Sequence, residues 1–108
     1  MPQADLYFSA DQTLPPVETL QAIQTVISGF DTASGLCKGR AHPVADYLNS
    51  HVFLSLSMLP KPHRDEAFAR ELGGRLAEAL KAVASADCTI NVQIRFDLIH
   101  YTTVPPRG

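Results

Sequence analysis

The chain begins Met1-Pro2, and a small second residue lets the cell's methionine aminopeptidase remove Met1 and leave Pro2 with a free secondary amine. An ordinary α-amino group titrates near about 7.7 to 8.0, and burial or neighbouring cations lower it further, so such an amine can be a neutral base near pH 7. With Met1 retained, the same nitrogen is an amide without a basic lone pair. Lys38-Gly39-Arg40 falls in a stretch that reads as a strand, where residues two apart point to the same face, so two cations point one way. Arg40 can hold a carboxylate bidentately and Lys38 can hold it as a point charge, and their field would keep a nearby amine unprotonated. The alternative for this pair is a solvated strand edge. His42 shares the face and can titrate near neutrality, while the Pro43 that follows it also suggests a turn.

The remaining chemistry-bearing residues read as structural. His51, His63 and His100 lie next to loop or strand ends with no Ser or Cys partner at an interpretable spacing, so no nucleophilic triad follows and they are expected at the surface. Cys37 and Cys88 each border an apolar strand and read as small buried hydrophobes. With no Cys-x-x-Cys or His-Glu-x-x-His spacing, neither disulfide, metal site nor cofactor is expected. Tyr47 and Tyr101 are candidate pocket walls.

These residues must be positioned by elements that the hydrophobic periods reveal. Ala4, Leu6 and Phe8 alternate with Asp5, Tyr7 and Ser9, the period of a strand with one buried face. Thr13 then reads as a cap, with Pro15-Pro16 in the first turn of a helix whose apolar stripe is Leu14, Val17, Leu20, Ile23, Ile27 and Phe30. A second strand is expected over 36–42 and a loop over 43–50. The nearly continuous apolar run 52–59 predicts a central strand. Pro60-Lys61-Pro62 ends it, and Phe68, Leu72, Leu76, Leu80 and Val83 predict a second helix from about Asp65. Gly73-Gly74 inside that helix implies close packing on the sheet. Ile90, Val92, Ile94, Phe96 and Leu98 alternate with polar residues in the clearest strand signal of the chain, and 102–108 is a polar, proline-rich tail.

The order strand, helix, strand thus occurs twice, over about 2–50 and 51–101, within a single domain spanning 1–108. The predicted fold is α/β (α+β): a duplicated β-α-β unit forming a four-stranded mixed sheet with two helices on one face. The uncovered face is expected to expose Val52, Leu54, Leu56, Ile90, Val92 and Ile94 or their opposite-face neighbours, an apolar area that predicts a closed homo-oligomer.

Composition excludes several classes. With 108 residues, 45% of them apolar and 19% charged, the chain is neither disordered nor fibrous. Nine Lys and Arg against eleven Asp and Glu give a net charge of -2, and no basic run could track nucleic acid. No apolar stretch is long enough to span a bilayer and no signal-peptide flank is present, so a cytoplasmic protein is expected, without membrane or nucleic-acid partners.

Pro2, the duplicated pattern and above all Gly35-Leu36-Cys37-Lys38-Gly39-Arg40-Ala41-His42 together resemble the tautomerase superfamily, specifically the 5-carboxymethyl-2-hydroxymuconate isomerase family. The resemblance covers most of the chain. Ser9-Ala10-Asp11 looks like that family's exit from strand one, the 52–59 run like its central strand, and His63-Arg64 with the Phe68 helix like its second helix. It implies a tautomerase/MIF-like fold, a homotrimer, no cofactor, and a cytoplasmic isomerase of aromatic compound catabolism. It further implies that Pro2 is the general base that moves a proton between carbons of a small unsaturated 2-hydroxy or 2-oxo carboxylic acid. Arg40 matches the second arginine of the family's strand-two pair, and Lys38 stands in for the first. Gln3 and Tyr7 depart from the histidine and the acidic residue common in the family. Two other readings remain: a non-catalytic oligomeric binding module with a vestigial site, and a hydratase or dehalogenase using the same proline as an acid.

Overall fold

The computed structural model describes residues 1–85 and 87–107. The elements run β1 (Gln3–Ser9), α1 (Pro16–Phe30), β2 (Lys38–Val44), β3 (His51–Ser57), α2 (Glu66–Val83) and β4 (Thr89–Arg95). They form one four-stranded sheet in the order β2-β1-β3-β4, with β1 parallel to β2, β3 parallel to β4, and β1 antiparallel to β3. This is the predicted mixed sheet. Its core lies between the sheet and the helices: Ala4, Leu6 and Phe8 of β1 and Val52, Leu54 and Leu56 of β3 are buried. Ile23 and Ile27 of α1 and Leu72, Leu76 and Leu80 of α2 join them. Among the described residues, no helix is long and apolar enough to cross a membrane.

The details that differ have local causes. Thr13 does not cap α1; Pro15 occupies that place without a side-chain bond, and the Thr13 N–H donates to Ser85 Oγ at 2.6 Å. Val17 is 63% exposed and drops out of the apolar stripe, while Thr19 is buried. Thr19 can be buried because its hydroxyl donates to the Pro15 carbonyl at 2.6 Å, satisfying the polar group within its own helix. The second strand is shifted to Lys38–Val44, leaving Leu36 exposed and running through Pro43. Proline is tolerated there because β2 is an edge strand.

Close packing does not account for Gly73-Gly74. A Cβ on Gly73 would sit 3.7 Å from Ile94 Cδ1, an ordinary contact, and one on Gly74 would meet nothing within 4 Å. The close approach is instead at Gly39, where a Cβ would lie 3.1 Å from Leu20 Cδ2; its absence lets α1 settle on β2. Cys37 and Cys88 are half-buried free thiols packed against the core, and burial pushes both thiol pKa values up.

The face away from the helices is not the apolar surface that was expected. Val52, Leu54 and Leu56 all point to the helix side and are fully buried, with Ile90, Val92 and Ile94 half-buried against the same core. The strict period of two therefore leaves the other face to polar residues such as Asp5, Arg40, His42, Ser55 and Arg95, with Tyr7 and Phe53 between them.

Candidate functional site

The parallel ladder of β1 on β2 aligns Gln3 with Lys38, Asp5 with Arg40 and Tyr7 with His42, so the polar side chains of two strands 35 residues apart meet on the open face. Pro2 immediately precedes this ladder. It is buried, and its carbonyl accepts the Lys38 N–H at 2.9 Å, which fixes the first residues of the chain against the start of β2.

A cavity of about 430 Å³ opens at this point, lined by Met1, Gln3 and Lys38 on one side and by Tyr101 and the segment 102–106 on the other. The tail arrives there because the chain crosses the end of β3 after β4, where the Leu98 N–H donates to the Met58 carbonyl at 3.4 Å. The Gln3 side-chain amide then donates to the Tyr101 hydroxyl. Met1 forms part of the wall and lies against Gly35. Its removal would enlarge the cavity and turn the Pro2 nitrogen from an amide into an amine. Among the described residues no carboxylate lies within 4.0 Å of the Lys38 ammonium, so its charge is available to a ligand.

Arg40 is placed differently. Its Nε donates to Asp5 Oδ1 at 2.7 Å and its Nη2 reaches Asp5 Oδ2 at 3.4 Å. Nη1 and Nη2 also donate to Gln3 Oε1, at 3.0 and 2.9 Å. The guanidinium fork is thereby occupied from within the chain, and Arg40 does not line the cavity. His42 Nε2 lies 2.8 Å from the same Asp5 Oδ1, with its ring stacked on Tyr7 at 4.6 Å between centroids. The hydrogen bond from Arg40 holds the Asp5 carboxyl below its ordinary pKa against the opposing effect of burial, with His42 adding to the effect. Asp5 is therefore an anion at neutral pH, and the Arg40–Asp5 pair carries no net charge.

Lys38 and Tyr101 are thus brought to one cavity, with Pro2 buried between the lining residues Met1 and Gln3 but not itself in the wall, while Arg40 and His42 form a neighbouring cluster around Asp5. Tyr47 lies at the other end of the sheet, its ring edge-on to His51 at 6.5 Å, and lines neither the cavity nor the cluster. His63 is at the surface but reaches Asp31 at 3.1 Å, and His51 contacts the Asn49 carbonyl at 2.8 Å. Among the described residues no group of three His, Cys, Asp or Glu side chains could hold a metal ion. Gln3, Asp5 and the 102–106 segment were not legible as site residues. Gln3 and Asp5 look like the solvent side of an alternating strand, and only the β1–β2 register gives them partners.

No protein-family model matches the chain, and no curated protein is similar to it in sequence. Solved structures do match. A 5-carboxymethyl-2-hydroxymuconate isomerase from Deinococcus radiodurans R1 aligns with a TM-score of 0.69 at 18% identity, over 98% of this chain and 90% of that one. A 5-carboxymethyl-2-hydroxymuconate delta-isomerase aligns at 0.60 and 17% identity, over 87% and 82% of the two chains. A macrophage migration inhibitory factor-like protein from Entamoeba histolytica aligns at 0.61 and 15% identity, over 87% and 86%. The chain has the tautomerase/MIF-like fold that these structures share.

Proposed function

We propose that the chain, once Met1 is removed, is a tautomerase-superfamily isomerase that uses Pro2 as general base on an unsaturated 2-hydroxy or 2-oxo carboxylic acid, in the manner of the 5-carboxymethyl-2-hydroxymuconate isomerases. The observation that carries this reading is the position of Pro2. It is buried between Met1 and Gln3, two residues of the cavity wall, which also carries Lys38, a cation with no carboxylate partner among the described residues. In the proposed reaction the proline amine takes the acidic proton from one end of the conjugated system and the resulting ammonium returns it at another carbon. Lys38 holds the carboxylate and stabilises the enolate charge that develops between the two transfers. Arg40 supports the site from behind by fixing the carbonyl end of Gln3, whose amide N–H holds Tyr101 at the cavity wall.

The test is a Pro2→Ala variant, also processed to remove Met1, assayed for ketonisation of phenylpyruvate enol and 2-hydroxymuconate. A loss of about 100-fold or more is expected for removal of a general base. Undiminished activity in the variant overturns the assignment. A pH–rate profile that rises through the amine's pKa supports base rather than acid use of the proline. Intact mass of protein from its native host completes the test. Retained Met1 would favour the second reading, a binding module, which the internally occupied Arg40 fork also favours.

The proposal includes assembly as a homotrimer of about 35 kDa, from protomers of 11.8 kDa. Away from the Gln3–Lys38 end, where the tail packs, the face of the sheet opposite the helices has no covering layer among the described residues, and the Tyr7 and Phe53 rings lie on it 6.1 Å apart. Light scattering at micromolar concentration should give the trimer mass, and a stable monomer refutes it.

A further inference from the structure

Two cations two residues apart on one strand suggest a site that grips two negative charges, yet the geometry separates them. Lys38 lines the cavity with no counter-ion among the described residues, whereas Arg40 is held one ladder step away by Asp5 and Gln3. Once Met1 and its terminal ammonium are gone, the rest of the described lining carries no charged side chain: Gln3, Tyr101, Thr102 and Thr103 offer neutral hydrogen-bonding groups, and Val104 with the two following prolines offers apolar surface. A ligand there finds one cation and a neutral, largely apolar remainder. A second carboxylate would lie against that apolar surface with no cation to meet it, which is unfavourable for an ionised group.

We infer that Asp5 sets the charge of the substrate: by occupying the guanidinium of Arg40 it restricts the cavity to acids with a single carboxylate and an uncharged body, and selects against dicarboxylates. The inference rests on the proposed reading of this cavity as the substrate site. Asp5 acts here as a specificity-determining residue that touches Arg40 and not the substrate, and Gln3 adds to the masking by accepting one N–H from each of Nη1 and Nη2. Selectivity of this kind comes from an interaction withheld from the wrong ligand rather than one added for the right one.

The matched probes are hexa-2,4-dienoate and muconate, which share a carbon skeleton and differ by one carboxylate. Binding of each to Met1-free protein, measured by calorimetry or by NMR titration, needs no turnover. The wild type should bind the monocarboxylate about tenfold or more tighter than the dicarboxylate. Asp5→Asn, which leaves Arg40 charged without its counter-ion, should shift that ratio by about tenfold or more toward muconate, and Asp5→Asn combined with Arg40→Gln should restore the preference. Equal binding of the two acids by the wild type, a measurement that requires no variant to fold, overturns the inference, as does a ratio that Asp5→Asn does not move. If the ratios behave as expected while Pro2→Ala leaves ketonisation intact, the proposed reaction fails and the charge selection stands. If Pro2→Ala abolishes ketonisation but the ratios do not move, the reverse holds.

Discussion

In the first β-α-β half, Asp5 lies across the ladder from Arg40 and Tyr7 across from His42; at the equivalent positions of the second half, Phe53 lies across from Asn91 and Ser55 across from Gln93. The helix-facing residues of the same strands differ far less. Leu6 and Leu54 are direct partners at the centre of the sheet, both fully buried, and each half adds a helix with a run of buried aliphatic residues. The repeat is therefore held where burial constrains it and lost where only water or a ligand is faced. The cross-strand Asp5–Arg40 pair has no counterpart across β3 and β4, where Arg95 lies opposite Ser57 and pairs with Asp97 two residues on, and the candidate site lies at the β1–β2 end.

The halves are also joined by a pair of the same residue types used in the opposite way. Asp31 closes α1 and Arg64 precedes α2, and both side chains are only 3% exposed. Arg64 donates through Nε and Nη2 to Asp31 Oδ2 at 3.0 and 2.8 Å and through Nη1 to the Leu59 carbonyl at 2.6 Å. Where Arg40–Asp5 is open and adjusts the charge of a site, Arg64–Asp31 is dry and fastens one half to the other.

Arg64→Met should break that distinction most severely. Leaving the Asp31 carboxylate buried without its main partner is expected to cost about 3 to 5 kcal/mol in urea unfolding at neutral pH. A cost below about 1 kcal/mol, the range of surface pairs, would mean that the two Arg–Asp pairs are energetically alike. Acid titration of stability sharpens the same point. Burial raises the Asp31 pKa, but the hydrogen bonds from Arg64 and then His63 outweigh it and leave the carboxyl below its ordinary value. A depressed folded pKa contributes stability that is fully present above the unfolded value of about 3.9 and is lost as pH falls through the folded one. The wild type should lose stability below about pH 4, and Arg64→Met should lose less over the same range.

The smallest effect concerns the two helix starts. Asp65 caps α2 by accepting the Phe68 N–H at 2.9 Å, whereas Pro15 at the start of α1 offers no side-chain acceptor. Asp65→Ala should cost about 1 kcal/mol by thermal or urea unfolding. A negligible cost would show that the second half does not depend on its cap any more than the first does.

How much of this was legible follows from where each signal resides. The alternation in Ala4-Leu6-Phe8 and Ile90-Val92-Ile94 and the spacing of Leu72-Leu76-Leu80 are local and survive without any knowledge of the partner strand. The limits of β2 are not local: pairing with β1 decides where it starts, and its edge position is what lets it continue through Pro43. Pro2 could be named from the start of the chain and Lys38 and Arg40 from their spacing, but their separation into a free and an occupied cation depends on Asp5 and Gln3. Those residues acquire partners only through a register between segments 35 residues apart. Tyr101 reaches the cavity through the return of the chain after β4, which no periodicity encodes.

The strand order has a consequence for how the chain comes off the ribosome. β1 is made first but sits inside the sheet, with β2 on one side and β3 on the other. When only the first half has emerged, β1 and β2 form a two-stranded parallel ribbon with one helix, and the edge of β1 that will face β3 has no hydrogen-bond partner. The nascent first half therefore gains the partner of its inner strand only when β3 pairs with β1, and the sheet is complete only once β4 has followed.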